Sequence, residues 1–318
     1  MEASLEDCVA SWDGERLRIE NSMTRRVWRR QGQSLYAESI CDLRMGKQWL
    51  ARPSPWASPS PACSIAADET CHWYLETECG RAGPTQEPSL HGALVVEGKE
   101  MSVRYEFQLF PSSAGVALRV RHTGGEAVPA ESGKPEDRAV TGVELADTAQ
   151  AESSLERADA LELFELAPPH LRLLQVELRD RTDLHNELVF EREWLLHPNE
   201  DRLALQGNLF VLEDTLDQAG LIFLKHAPLP WARPLPVDVD FELRGRGACY
   251  YEGEAGLEPA GVGRPREPLA YQVGCFGHGA DASGEGYVWA VIPYLGGESG
   301  RVAALQRWQR QWRRFEPA

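Results

Sequence analysis

Polar and apolar residues alternate over short stretches along most of this chain, the period of strands half-buried against a core. The plainest case is "MSVRYEFQLF" at 101–110, where Val103, Tyr105, Phe107 and Leu109 share one face and Arg104, Glu106 and Gln108 the other. "PSSAG" supplies a turn and "GVALRVRH" at 115–122 resumes the beat, which predicts an antiparallel hairpin over 101–122. Similar segments recur as "RLRIE", "SLYAESICDL", "LELFEL", "LRLLQVEL", "ELVFEREWLL", "LALQGNLFVLED", "GLIFLKH", "VDVDFELRG" and "YVWAVIPY". Only the tail changes period. From Arg301 onward, Leu305, Trp308, Trp312 and Phe315 recur at three- and four-residue spacing, one face of a helix. Arg307, Arg310, Arg313 and Arg314 take much of the remainder, the last of them favourably placed at the negative end of the helix dipole.

Many strands, hairpin-like connections and little helix exclude a doubly wound α/β fold. The strands are also too many for one small sandwich, so the pattern predicts an all-β protein, a large two-sheet antiparallel sandwich closed by a C-terminal helix. Two stretches interrupt it. Residues 124–154 are rich in Gly, Pro, Ser and acids and poor in large apolar groups, and are expected to form a mobile loop. "ARPSPWASPSPACS" at 51–64 carries prolines that exclude a central strand.

The chain has 318 residues, 42% of them hydrophobic, enough for a sizeable core. A formal net charge of -16 argues against nucleic acid and against an anionic membrane as partners, because both are held by basic surfaces. Glu2, Glu6 and Asp7 stand where a secretory signal would be basic and then apolar, and no apolar run approaches the roughly 20 residues of a membrane span. Seven scattered cysteines without a C-x-x-C pair fit a reducing compartment, so a soluble cytoplasmic protein is expected. Cys63, Cys71 and Cys79 fall eight apart with His72 beside the middle one, but no tight ligand pair anchors a metal, and neither metal nor cofactor is expected.

Candidate chemistry is sparse. "LRDRTDLHNELVFERE" at 178–193 gathers Asp180, Asp183, His185 and Glu187, yet apolar alternation runs up to Leu178 and resumes at Leu188 and Phe190, so the cluster reads as a polar connection. Glu213 and Asp214 are neighbours on an extended segment and point to opposite faces, whereas a glycosidase pair must flank one bond. There is no G-x-S-x-G, and "GCFGHGADASGEG" lacks the lysine of a phosphate loop, which leaves His278 an exposed loop residue. No catalytic residue is assigned. Among ten tryptophans, Trp28, Trp194 and Trp289 lie in strand patterns and are expected in the core. Trp231, in "APLPWARPLP", is held out of a ladder by flanking prolines and is the candidate for a ligand groove, since a flat indole suits the apolar face of a sugar.

Five blocks, "IENSMTRRVWRR", "SICDLRMGKQWL", "VELRDRTDLHNELVFERE", "GNLFVLEDTLDQAGLIFLKHAPLP" and "RVAALQRWQRQWRR", occur in this order. Together they resemble the region that precedes the catalytic barrel in α-galactosidase-like glycoside hydrolases of the family 36 type. The resemblance implies a β-supersandwich related in shape to the galactose mutarotase fold over 1–298, then a linker helix over 299–318 leading into a (β/α)8 barrel. In that family both catalytic aspartates lie on the barrel, and the "N-T-W-G-D" type sequence that opens it does not occur here. The implied role is therefore a non-catalytic N-terminal domain that supports the barrel, aids homo-oligomer assembly and contributes to the entrance of a galactoside site. Trp312 and Phe315, outermost on the helical stripe, are expected on the interdomain surface. Two other functions stay open: a mutarotase-like sugar epimerase, needing a His acid such as His185 or His226 opposite a carboxylate base, and a stand-alone carbohydrate-binding module.

Overall fold

The computed structural model describes residues 1–32, 34–50, 54–56, 71–83, 86–99, 101–124, 160–166, 170–178, 189–196, 203–205, 207–226, 241–246, 270–276 and 288–312. The architecture is an antiparallel all-β sandwich with a C-terminal helix. Among the described residues its strands fall into three hydrogen-bonded sheets where the alternation predicted two layers, because period alone does not say which strand pairs with which.

The first sheet is a meander of β1 (Glu2–Leu5), β2 (Cys8–Trp12), β3 (Arg16–Glu20), β4 (Thr24–Gln31), β5 (Ser34–Asp42) and β6 (Lys47–Gln48). A short β7 (Ser54–Trp56) pairs with β5 off this path, the peripheral position that Pro55 allows. The large central sheet contains β8 (His72–Gly80), β9 (Ser89–Glu97), β10 (Met101–Leu109), β11 (Val116–Gly124), β13 (Leu171–Leu178), β14 (Val189–Leu195), β16 (Leu209–Asp214), β17 (Ala219–His226) and β20 (Val288–Leu295). Its spatial order is β14-β13-β16-β17-β20-β11-β10-β9-β8. The third sheet pairs β12 (Ala160–Leu166), β19 (Ala270–Phe276), β18 (Phe241–Arg246) and β15 (Leu203–Leu205) in that spatial order.

The expected hairpin forms as β10 on β11, in continuous register from Met101 opposite Gly124 to Leu109 opposite Val116. Val103, Tyr105, Phe107 and Leu109 all point into the main core, which collects side chains from all three sheets. Gly124 closes β11, and the rest of the expected mobile loop over 124–154 lies outside the described residues.

A second apolar cluster occupies the opposite face of the central sheet. Val211, Ile222, Ala290, Ile292 and Tyr294 project there and are covered by Trp308 of α1 (Gly297–Trp312). Strands β16, β17 and β20 are thus buried on both sides, which explains their nearly unbroken apolar runs. The helix begins two residues before the expected 299, at a corner made by Gly296 and Gly297, whose φ values of 87° and 59° suit glycine. Both corner amides donate to Gln218 O, at 3.0 and 2.8 Å, and the chain turns back across the sheet. Close approach is completed at Gly115, where a Cβ would come within 2.4 Å of the Trp308 ring. No described helix is long and apolar enough to cross a membrane.

Candidate functional site

Buried ion pairs and hydrogen bonds join the first sheet, the β16–β17 hairpin, β20 and α1. Asp42, fully buried at the end of β5, receives the Nε of Arg44 at 2.9 Å, and the same guanidinium donates through Nη2 to Pro293 O on β20 at 3.1 Å. From β6, the Lys47 ammonium reaches Asp214 at 2.7 Å and Asp217 at 2.5 Å. Asp214 also accepts the amides of Leu216 and Asp217. Its neighbour Glu213 turns the other way. Arg172 Nη2 of β13 donates to Glu213 Oε1 at 2.5 Å, the Tyr294 hydroxyl donates to Oε2 at 2.5 Å, and Arg301 of α1 stands 4.0 Å away.

The two acids therefore belong to different networks on opposite faces of β16, as strand geometry requires. They are 4% and 6% exposed, with their oxygens engaged by cations, a phenol and backbone amides. Burial raises the Asp214 carboxyl pKa, but Lys47 and the two amides outweigh it and hold the group below the usual carboxylate range. Burial and the Glu213 carboxylate both push the Tyr294 phenol well up, so it stays a protonated donor.

Asp214 makes a pH prediction. A carboxyl depressed in the folded state contributes stability that is present above its unfolded pKa, about 3.9, and lost as pH falls through the folded value. Urea unfolding should show Asp214→Asn less stable than the parent by a constant margin near neutral pH. That margin should shrink only below about pH 4; one that shrank between neutrality and pH 5 would reject the Lys47 assignment.

The helix is fastened by aromatic contacts and hydrogen bonds. The indole N–H of Trp308 donates to His226 Nε2 at 2.9 Å, and Trp312 stacks on the same imidazole, centroids 4.0 Å apart and planes 15° from parallel. An indole nitrogen only donates, so the accepting nitrogen of His226 carries no proton in this arrangement. Phe110 meets Trp308 edge-on at 5.3 Å. Arg307 and Gln311 bind the carbonyls of Ser112 and Pro111, and Asn21 holds the same turn through the carbonyls of Phe110 and Ser113 at 3.0 and 2.6 Å.

Four of the five blocks singled out in the sequence supply this junction: Asn21 from the first, Asp42, Arg44 and Lys47 from the second, Glu213, Asp214 and His226 from the fourth, and Arg301, Arg307 and Trp308 from the last. Arg172 and Tyr294, which complete it, stood out by no local pattern. The Asp180–Glu187 cluster, Trp231, His278 and Phe315 lie outside the described residues. Trp312 is half-buried, Trp28 and Trp289 are fully buried, and Trp194 packs against the main core from its edge. Cys79 is exposed and Cys71 half-buried, and no group of three metal-binding side chains occurs among the described residues.

No family model matches the chain, and no curated protein matches it. Among solved structures it is similar to the α-galactosidase from Lactobacillus brevis, with TM-score 0.49 and 10% identity, over 98% of this chain and 43% of that one. It is also similar to the GH36 α-galactosidases AgaB and AgaA from Geobacillus stearothermophilus. AgaB gives TM-score 0.49 and 7% identity over 95% of this chain and 43% of that one. AgaA gives 0.47 and 7% over 90% and 41%. The chain thus spans well under half the length of each of these structures.

Proposed function

We propose that this chain is a non-catalytic supporting domain of an α-galactosidase-like glycoside hydrolase, of the kind that stands before a (β/α)8 barrel. The observation that carries the reading is the fate of the resembling blocks: their charged and aromatic side chains bind one another. An acid or base catalyst needs an open path to its substrate and freedom to exchange a proton. Glu213 and Asp214 are instead buried and ion-paired, and His226 spends its Nε2 on the Trp308 indole. That last contact also weakens the epimerase alternative at His226, since the nitrogen is already an acceptor within the fold.

In this reading the junction makes the sandwich and α1 one stiff platform. The far end of the helix, with Trp312 and Phe315, turns toward the barrel. The domain helps assemble a homo-oligomer of the whole cytoplasmic enzyme, and Trp231 lines the entrance of its galactoside site. The test is the transcript that encodes the chain. A reading frame that continues past Ala318 into a barrel sequence is expected, and a stop codon directly after Ala318 would overturn the proposal.

A further inference from the structure

Where the β1–β2 hairpin of the first sheet lies on β8 and β9 of the central sheet, each layer contributes a thiol. Cys8 opens β2 directly after the turn at Glu6 and Asp7 and is fully buried. Its Sγ lies 3.9 Å from Leu109 O of β10 and 3.9 Å from Asp7 Oδ1. Cys79, next to last in β8, is exposed. It stands in one register row with Leu90 of β9 and Leu109 of β10, both wholly buried in the main core. Residues opposite one another in a sheet share a face, so Cys79 turns toward the first sheet, and its thiol donates to Ser4 O at 3.5 Å. Ser4 precedes Leu5, the register partner of Cys8. Cys8 thus meets the inner end of the row whose outer end is Cys79.

The two thiols differ in reactivity. Burial pushes the Cys8 thiol up to about 12, and the charges of Asp7, Glu6 and Cys79 add to the effect, so it stays protonated at neutral pH. Cys79 is open to a small oxidant from the solvent side. Cys71 is no partner for it, because Cys71 stands just before β8 and eight extended residues place the two about 27 Å apart.

We infer that Cys79 and Cys8 are a peroxide-responsive pair that closes into a disulfide between the first and central sheets. The Cys79 thiolate attacks one oxygen of a hydroperoxide, the O–O bond breaks, and Cys79 sulfenic acid forms as hydroxide or alkoxide leaves. The sulfenic acid is neutral, so the charge that opposed ionisation of Cys8 is gone. Cys8 then gives up its proton and attacks the Cys79 sulfur; the S–S bond forms, the S–O bond breaks, and proton and hydroxyl leave as water. With hydrogen peroxide, two thiols are oxidised and one peroxide is reduced to two waters. Strands β1 and β8 each end their sheet, and a local shift of these edges brings the sulfurs to bonding geometry. A transient, redox-sensing bond is the form disulfides take in a reducing compartment. The inference does not depend on the barrel.

The experiment is peptide mapping by mass spectrometry of the whole chain after treatment with hydrogen peroxide and alkylation. A peptide pair joined through Cys8 and Cys79 is expected, lost on addition of dithiothreitol. Cys8→Ala should leave Cys79 as a sulfenic acid that dimedone traps, and Cys79→Ser should leave Cys8 reduced. Should either variant fail to fold, the map of the parent chain decides alone. A Cys79 that stays reduced under excess peroxide overturns the inference. So does a Cys79 that is consumed without the joined pair, or that is found bonded to a different cysteine or to a second copy. Oxidation of Cys8 in folded Cys79→Ser as fast as in the parent also overturns it, since Cys79 is then not the point of entry.

Discussion

Replacing Trp308 with alanine is expected to lower the free energy of unfolding by about 3–5 kcal/mol, the cost of deleting a large, fully buried aromatic ring. The indole is the keystone of the outer cluster. It lies against Phe110, occupies the space that Gly115 leaves open and covers Ile292 and Tyr294. Its loss also removes the donor to His226 Nε2. Trp308→Phe keeps most of the packing and forfeits the hydrogen bond, so about 1 kcal/mol of the loss should remain. Val302 sits on the solvent side of the same helix at 44% exposed, and Val302→Ser should change stability by no more than about 0.5 kcal/mol. Urea unfolding of the three variants gives the ranking. Near-equal values for Trp308→Ala and Val302→Ser would mean that α1 does not dock in solution.

Removal of Glu213 should be nearly as damaging. Glu213→Ala leaves the buried Tyr294 hydroxyl and the Arg172 guanidinium facing each other without their shared acceptor. Breaking a fully buried pair costs about 3–5 kcal/mol; Arg172 keeps 27% of its side chain exposed, so about 3 kcal/mol is expected. A double-mutant cycle isolates the pair. Arg172→Met should cost at least about 1 kcal/mol less in the Glu213→Ala background than in the parent, because the guanidinium then keeps only Glu193, at 3.1 Å, and has lost its buried partner. Strict additivity of the two changes would show that the ion pair is not made.

What the sequence disclosed and what it hid divide along the range of the interactions. The β10–β11 hairpin was legible because alternation and turn residues are local, and so was the Leu305–Trp308–Trp312 stripe. The opposition of Glu213 and Asp214 followed from strand geometry alone. The sheet that receives the stripe was not legible, since strands buried on both faces lose the alternation that would reveal their second face. Phe110 illustrates the difficulty: it follows the inward-facing Leu109 and belongs to the outer cluster. The ion pairs were hidden as well. Lys47 and Asp214 are 167 positions apart, and Arg44 finds its carbonyl 249 positions away. His226 looked like a free acid candidate because its partner, Trp308, is 82 residues downstream.

The proposed supporting role is tested most directly by an activity assay on the purified chain. Incubated with nitrophenyl α-galactoside, the protein should release nitrophenol no faster than buffer alone, since its two buried strand-end carboxylates are held apart on opposite faces of β16. Turnover that persists through repurification and rises in proportion to the amount of this chain would contradict the account.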